Sequence, residues 1–262
     1  MNINLNDRVI FITGGSEGIG EGIAHGAAKC GAKVFIASRD ESEMQSVVDS
    51  IKASGGEAAW AKADVTNNDQ VSSAVKKAVD QYGRIDGLVA NAGINGTWAP
   101  VDQLTPDQWR KTIDVNLTGT YLAVHHCVPF LRAAGGGSIV IMASINGTRT
   151  FSNEGASAYA ASKAGQFAFA KMLALELARS KIRVNVICPG AIESQIHDKT
   201  KRVNLASIET PTIFPEGDIP LTGGEFGTPE QVASLTAFLM SDLASHITGT
   251  PVWIDGGQSL IQ

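Results

Sequence analysis

Short apolar, β-rich runs alternate with amphipathic helical patterns along the whole chain, at residues 8–13, 33–38, 57–63, 85–91, 138–144, 182–188 and 251–254. All of these runs read as strands. Successive strands separated by a helix need crossover connections, and crossovers give parallel pairs with helices packed on both faces. The expectation is a doubly wound α/β fold with a seven-stranded parallel sheet, whose ligands bind at the carboxyl ends of the strands. One helix is plain from its spacing: Val71, Ala74, Val75, Ala78, Val79 and Tyr82 share a face, with Lys76, Lys77 and Asp80 off it. Another has a marked start, where Thr228 precedes a proline at the first helical position and Gln231 completes a capping box.

At 262 residues the chain is long enough to bury a large core without metal or disulfide staples. No repeat or low-complexity linker divides it, so residues 1–262 read as one domain. The long connection at residues 191–227, with Pro211, Pro215 and Pro220, is the exception to short loops and reads as a substrate segment. The net charge of −5 has no long like-charge run, which argues against nucleic acid or an anionic membrane and for a small-molecule partner. Every apolar stretch is broken before the roughly 18 residues of a membrane span. Cys30, Cys127 and Cys188 form no CxxC pair, the five histidines show no metal spacing, and no basic-then-apolar leader precedes Leu5. A cytoplasmic protein without a metal site is expected.

The segment Thr13-Gly14-Gly15-Ser16-Glu17-Gly18-Ile19-Gly20 follows the first strand and opens a helix whose Ile19, Ile23, Ala27 and Cys30 share a face. Glycines let the backbone approach a pyrophosphate, and a helix N-terminus offers free N–H groups and partial positive charge. In this position the cluster points to a dinucleotide.

The Gly-x-x-x-Gly-x-Gly spacing resembles that of the short-chain dehydrogenase/reductase family, built on the Rossmann fold. The resemblance continues through Asp64-Val65, Asn91-Ala92-Gly93, Asn116, Ser144, Tyr159-x-x-x-Lys163, Pro189-Gly190 and Asp255-Gly256-Gly257. It implies an NAD(P)-linked oxidoreductase acting on a carbonyl or secondary alcohol, with Asp64 and Val65 at the adenine and Asn91, Ala92 and Gly93 lining the cofactor cleft. It further implies a homotetramer in which the helices bearing Asn116 and Tyr159 form one interface. After Pro189-Gly190-Ala191-Ile192 the family commonly has a threonine. This chain has Glu193-Ser194, and Ser194 is the candidate replacement hydroxyl.

Ser38 stands about 20 residues beyond the glycine motif, where a carboxylate would hold the ribose diol of NAD, and Arg39 follows it. A guanidinium pairs with a 2′-phosphate, so NADP is favoured. Asp40 and Glu17 carry the opposite charge and keep NAD as the alternative.

Tyr159 and Lys163 are four apart and project from one helix face. A phenol serves as proton donor to a carbonyl oxygen receiving hydride, and as base in reverse, if a nearby ammonium lowers its pKa. The resemblance assigns Tyr159 that role, gives Lys163 the nicotinamide ribose hydroxyls, and has Asn116 hold a water that links the lysine to solvent. Ser144, at a strand end, is placed to donate to the substrate oxygen. Substrate identity should reside in residues 94–101, 145–155 and 191–227. Trp98, Phe151 and Phe214 are candidate pocket walls or loop anchors, and Lys199, Lys201 and Arg202 read as a solvated helix face in preference to a site for an acidic or acyl-carrier substrate. Three readings follow: an NADP(H)-dependent reductase similar to 3-oxoacyl-carrier-protein reductases, an NAD-linked dehydrogenase of a sterol, sugar or other secondary alcohol, and a dinucleotide-sensing module without catalysis.

Overall fold

The computed structural model describes residues 2–210, 213–215 and 217–261. In chain order the elements are β1 (Val9–Thr13), α1 (Gly18–Lys29), β2 (Lys33–Ser38), α2 (Glu41–Ala53), β3 (Glu57–Lys62), α3 (Asn68–Tyr82), β4 (Gly87–Ala90) and β5 (Thr97–Trp98). They continue with α4 (Pro106–Ile113), α5 (Gly119–Ala133), β6 (Gly137–Met142), α6 (Ser157–Leu177), β7 (Ile182–Pro189), β8 (Lys201–Arg202), α7 (Pro229–Met240) and β9 (Pro251–Ile254). The large sheet has seven strands in the order β3-β2-β1-β4-β6-β7-β9, and every pair is parallel. All seven expected strands are present, shifted by a residue or two at some ends.

Alternation along β1 sets the two cores. Phe11 faces the side covered by α3, α5 and α6, while Ile10 and Ile12 face the side covered by α1, α2 and α7. The central strands are apolar on both faces because both are covered. On α3, Val71, Ala74, Val75 and Ala78 are buried, and Val79 and Tyr82 pack half-buried beside them, as their spacing predicts. Side-chain caps start α2 and α3: Asp40 accepts from the Ser42 and Glu43 N–H groups, and Asn67 from those of Asp69 and Gln70. Gln231 accepts from the Thr228 N–H at the start of α7 (2.9 Å).

After β3 the chain returns to place β4 on the other side of β1, so strand order reverses between β1 and β4. Their carboxyl ends diverge into loops that leave a crevice, the usual place for a ligand in such a sheet.

Among the described residues of 191–227 the only helix is a single 3-10 turn, Leu205–Ser207. Their base is closed by a bridge between Ile192 and Gly227, and β8 pairs in parallel with β5, stitching the segment to the loop after β4. Buried Asn95 reinforces the seam by donating to the Thr200 hydroxyl (2.8 Å). Lys199 therefore lies in a turn, and Lys201 and Arg202 on a strand, which corrects the expected helix face. Pro211 lies outside the described residues.

Candidate active site

A cleft of about 660 Å³ opens at the switch point. Gly14, Ser16, Glu17, Gly18, Ile19 and Gly20 line it from the glycine turn; Ser38 and Arg39 from the end of β2; Asp64 and Val65 from the end of β3; and Asn91, Ala92 and Gly93 from the end of β4. Ser144, Tyr159 and Lys163 lie on the same wall system with Pro189, Gly190, Ile192 and Ser194. Asn116 is fully buried behind it.

The glycine turn is built for close approach. Gly14 has φ +65°, and a Cβ there would come within 2.8 Å of the Ala92 Cα. Asn91 holds the turn against β4, its Nδ2 donating to the carbonyls of Thr13 (3.2 Å) and Gly14 (2.9 Å). The extended residue before α1, Glu17, does not cap the helix, in contrast to Asp40 and Asn67 on α2 and α3. The first-turn N–H groups of α1 are thus left for an outside acceptor at residues that line the cleft. Ser194 stands over this turn, since a Cβ on Gly18 would lie 3.1 Å from the Ser194 Cβ. The residues fit a dinucleotide diphosphate. Glu193 is exposed, and its N–H donates to the Gly227 carbonyl (2.9 Å), so the departure from the family pattern leaves the cleft undisturbed.

At the far end, Arg39 is exposed and forms no ion pair among the described residues. Asp40 is occupied with capping α2, and its hydrogen bond from Ser42 holds the carboxyl below the ordinary range. The Ser16 and Ser38 hydroxyls are 3.0 Å apart, and Ser16 also donates to the Glu43 carboxylate (3.1 Å). Asp64 ties its own turn by accepting from the Thr66 N–H (2.9 Å) and hydroxyl (2.8 Å).

Tyr159 and Lys163 project from α6 toward Ser144, and the ammonium sits 5.5 Å from the phenol ring centre. Burial dominates both. It raises the Tyr159 pKa, with the Ser144 hydrogen bond as the opposing influence, and depresses that of Lys163 to about 8. The expected acidifying effect of the ammonium meets an opposing one here: burying a phenolate is costly and raises the Tyr159 pKa, while the Ser144 hydrogen bond lowers it. Lys163 donates to the Met142 carbonyl (2.8 Å), which anchors its head at the end of β6. The Ser144 hydroxyl accepts from the Asn146 N–H (3.1 Å).

Asn116 lies in a π-helical segment, Asp114–Thr118, between α4 and α5. Its Oδ1 accepts from the Ile94 N–H (2.8 Å), and its Nδ2 donates to the Ile94 carbonyl (2.9 Å) and the Ser162 hydroxyl (2.9 Å). The Asn116 carbonyl accepts from Gln166 (2.8 Å) and Thr120 (2.7 Å). These bonds lock the loop after β4 to α6. Such local widening of a helix is frequent at functional sites.

Of the three candidate aromatics, Trp98 lines the cleft. Phe151 is 76% exposed and Phe214 half-buried, and neither lines it. Residues not singled out in advance, among them Asn95, Asn146, Asn153 and His197, come from the three segments where substrate identity was expected. Gln258 lies outside them; it accepts from the Ala191 N–H (2.9 Å) and had no signal in the chain beyond its place after Asp255-Gly256-Gly257. In a second hollow of about 640 Å³ at the amino ends of the strands, Arg8 pairs with Asp242 (2.6 Å) and Arg84 with Asp86 (2.5 Å). No helix among the described residues is long and apolar enough to cross a membrane, and no group of three or more metal-ligating side chains comes together there.

A seven-stranded parallel sheet with an uncapped helix N-terminus and a Ser-Tyr-Lys cluster at its switch point defines a dinucleotide-linked oxidoreductase. The family model described as enoyl-(acyl carrier protein) reductase matches residues 14–259. A 3-oxoacyl-acyl-carrier-protein reductase of Chlamydia pneumoniae is 38% identical, over 98% of this chain and 99% of its own. The cyclohexanol dehydrogenase of Acinetobacter sp. (strain SE19) is 36% identical, over 98% and 96%. The crystal structure of a 3-ketoacyl-ACP reductase from Sinorhizobium meliloti 1021 superposes with a TM-score of 0.95 at 48% identity, covering 97% of this chain and all of that one. The chain belongs to the short-chain dehydrogenase/reductase family and is an NAD(P)(H)-linked oxidoreductase. The reading as a sensing module without catalysis falls away.

Proposed function

We propose that the protein is an NADP(H)-dependent reductase of a carbonyl group of the 3-oxoacyl type. It works as a single catalytic unit over residues 1–262, with 191–227 as its substrate segment. The convergence of Ser144, Tyr159 and Lys163 on one cleft with an uncapped helix N-terminus carries this reading. NADP(H), when bound, supplies or accepts the hydride. Glycine-turn N–H groups and Ser194 hold its diphosphate, Asp64 and Val65 its adenine, and Ser38 and Arg39 its 2′-phosphate. Lys163 holds the nicotinamide ribose, and Pro189, Gly190 and Ile192 bound the nicotinamide side.

Tyr159 donates its proton to the substrate oxygen during reduction. Burial keeps that phenol protonated at neutral pH, which suits it to act as an acid. Ser144 donates to the same oxygen as charge builds there. Asn116 fixes the loop after β4 against the helix that carries Tyr159 and Lys163, and keeps its expected role of holding a water that links Lys163 to solvent. The relatives named as acyl-carrier-protein reductases support the substrate class.

A second reading is an NAD-linked dehydrogenase of a cyclic or other secondary alcohol. The Glu43 carboxylate beside Ser16 favours it, since a carboxylate at the adenosine end suits a ribose diol. So do relatives that include a cyclohexanol dehydrogenase. We further infer a cytoplasmic homotetramer.

Tyr159→Phe tests the assignment. Turnover with 3-oxoacyl and cyclic ketone substrates should fall by about 100-fold or more, while cofactor binding, followed by nicotinamide fluorescence, stays within a few-fold of wild type. Retained turnover overturns the role of Tyr159, and faster turnover with NADH and a cyclic alcohol moves the assignment to the second reading.

A further inference from the structure

The end of the cleft beyond the glycine turn has an unusual charge arrangement. Three carboxylates gather around it: Glu17 lines the cleft, Asp40 follows Arg39, and Glu43 accepts from the Ser16 hydroxyl that touches Ser38. Against them the chain around this corner offers Arg39, while Lys62, in register beside Ser38, is already paired with Glu41 (3.0 Å). A phosphate monoester brings roughly two more negative charges at neutral pH. On its own this corner repels the 2′-phosphate of NADP.

A cation comes from elsewhere. Lys199, in the segment 191–227, reaches across the mouth and donates to both oxygens of Glu17, at 2.7 and 2.6 Å. Its charge is also felt at Asp40, so it stands between the glycine turn and the residues after β2. The backbone carrying Lys199 is fixed from both sides. Its N–H donates to the Gln195 carbonyl (3.2 Å), and the next residue, Thr200, is buried and bonded to Asn95. Glu17 does not cap α1 and is free to serve this pair.

We propose that Lys199 selects the cofactor: by neutralising Glu17 from the substrate segment, it makes the Ser38–Arg39 corner acceptable to a 2′-phosphate. This rests on the NADP reading above and supplies what that reading lacks, a reason why an acidic glycine turn tolerates the extra phosphate. Lys199 acts through Glu17 and is therefore a positioning residue. The same contact ties the segment that covers the substrate to the turn that holds the cofactor.

The test compares 2′,5′-ADP with 5′-AMP, which differ by that phosphate and carry no hydride chemistry, by calorimetry on wild type, Lys199→Ala and Glu17→Ala/Lys199→Ala. Wild type should prefer 2′,5′-ADP. In Lys199→Ala the affinity for 2′,5′-ADP should fall about fivefold, the scale of an exposed charge pair, with 5′-AMP unchanged. The loss should shrink in high salt, because the repulsion left at Glu17 is screened. Removing Glu17 as well should restore the preference, and the KM for NADPH against NADH should follow the same order. A preference that survives Lys199→Ala, or a loss that Glu17→Ala fails to repair, overturns the assignment of Lys199 and leaves the NADP reading standing. Equal binding of the two nucleotides by wild type overturns the NADP reading itself.

Discussion

Lys163 is 4% exposed, and burial holds its pKa near 8, well below the lysine range. A cation kept in such a place costs stability. The unfolded chain binds the proton up to pH about 10.5 and the folded one only to about 8. The penalty is therefore present in full below pH 8 and disappears as pH rises through the interval between these values. The difference is on the order of 3 kcal/mol at pH 7, reduced by about 1 kcal/mol for the bond to Met142 that a replacement loses. Lys163→Met should be inactive but more stable than wild type in urea at pH 7, with the gap closing toward pH 10. A gap that does not change with pH would remove the buried charge as its cause. Tyr159 shows what a chain of letters carries and what it omits. Its spacing from Lys163 is visible, because a helix turns the same way everywhere. Its pKa direction is not, because burial depends on strands far away in sequence. The raised value makes alcohol oxidation, which needs the phenolate, climb with pH through the alkaline range, while carbonyl reduction stays level across neutral pH. Initial rates in both directions check that sign.

The helices that read most clearly, α3 and α7, owe it to local causes: a repeating apolar face, and a threonine, proline and glutamine in fixed order. The π-helical turn around Asn116 and the β5–β8 pair have no such source. In that turn both ends of the Asn116 amide find Ile94, a partner far off in sequence, and β8 is a strand by pairing with β5. The meeting of α1 and α7 also depends on a long-range fit. A Cβ on Gly22 would come 2.6 Å from the Pro229 Cβ, and one on Gly26 would come 2.8 Å from that of Ala233. Gly22 thus allows two helices to approach at backbone distance, and its neighbour is the rigid first turn of α7. Gly22→Ala gains intrinsic helix propensity, yet overpacking of this kind costs about 1–3 kcal/mol. The midpoint of urea unfolding should fall. An unchanged or raised midpoint would show that α7 can shift to make room.

Across the whole molecule, the apolar surface is unevenly distributed. Most of the cleft lies at the carboxyl end of the sheet, but one helical layer on its flank shows large hydrophobic side chains to solvent. On α6, Met172 is 71% and Leu175 82% exposed, and Tyr121 of α5 lies beside Phe169 at 6.4 Å between ring centres, itself 47% exposed. Both helices are pinned from within by the Asn116, Ser162 and Gln166 bonds that shape the site. A partner packed on this face would therefore press on the helix that carries Tyr159 and Lys163. This links the inferred homotetramer to catalysis by a physical route, since a loosened α6 moves the phenol against Ser144. Leu175→Glu places a charge in the middle of that stripe, where burial against a second copy would strand it without a partner. Sedimentation should show the wild-type enzyme as a tetramer and the variant as smaller species, and turnover should drop with the loss of mass, more steeply at low protein concentration. A variant that keeps the wild-type mass would take this face out of the assembly. One that dissociates with full turnover would show that the site holds its shape within a single chain.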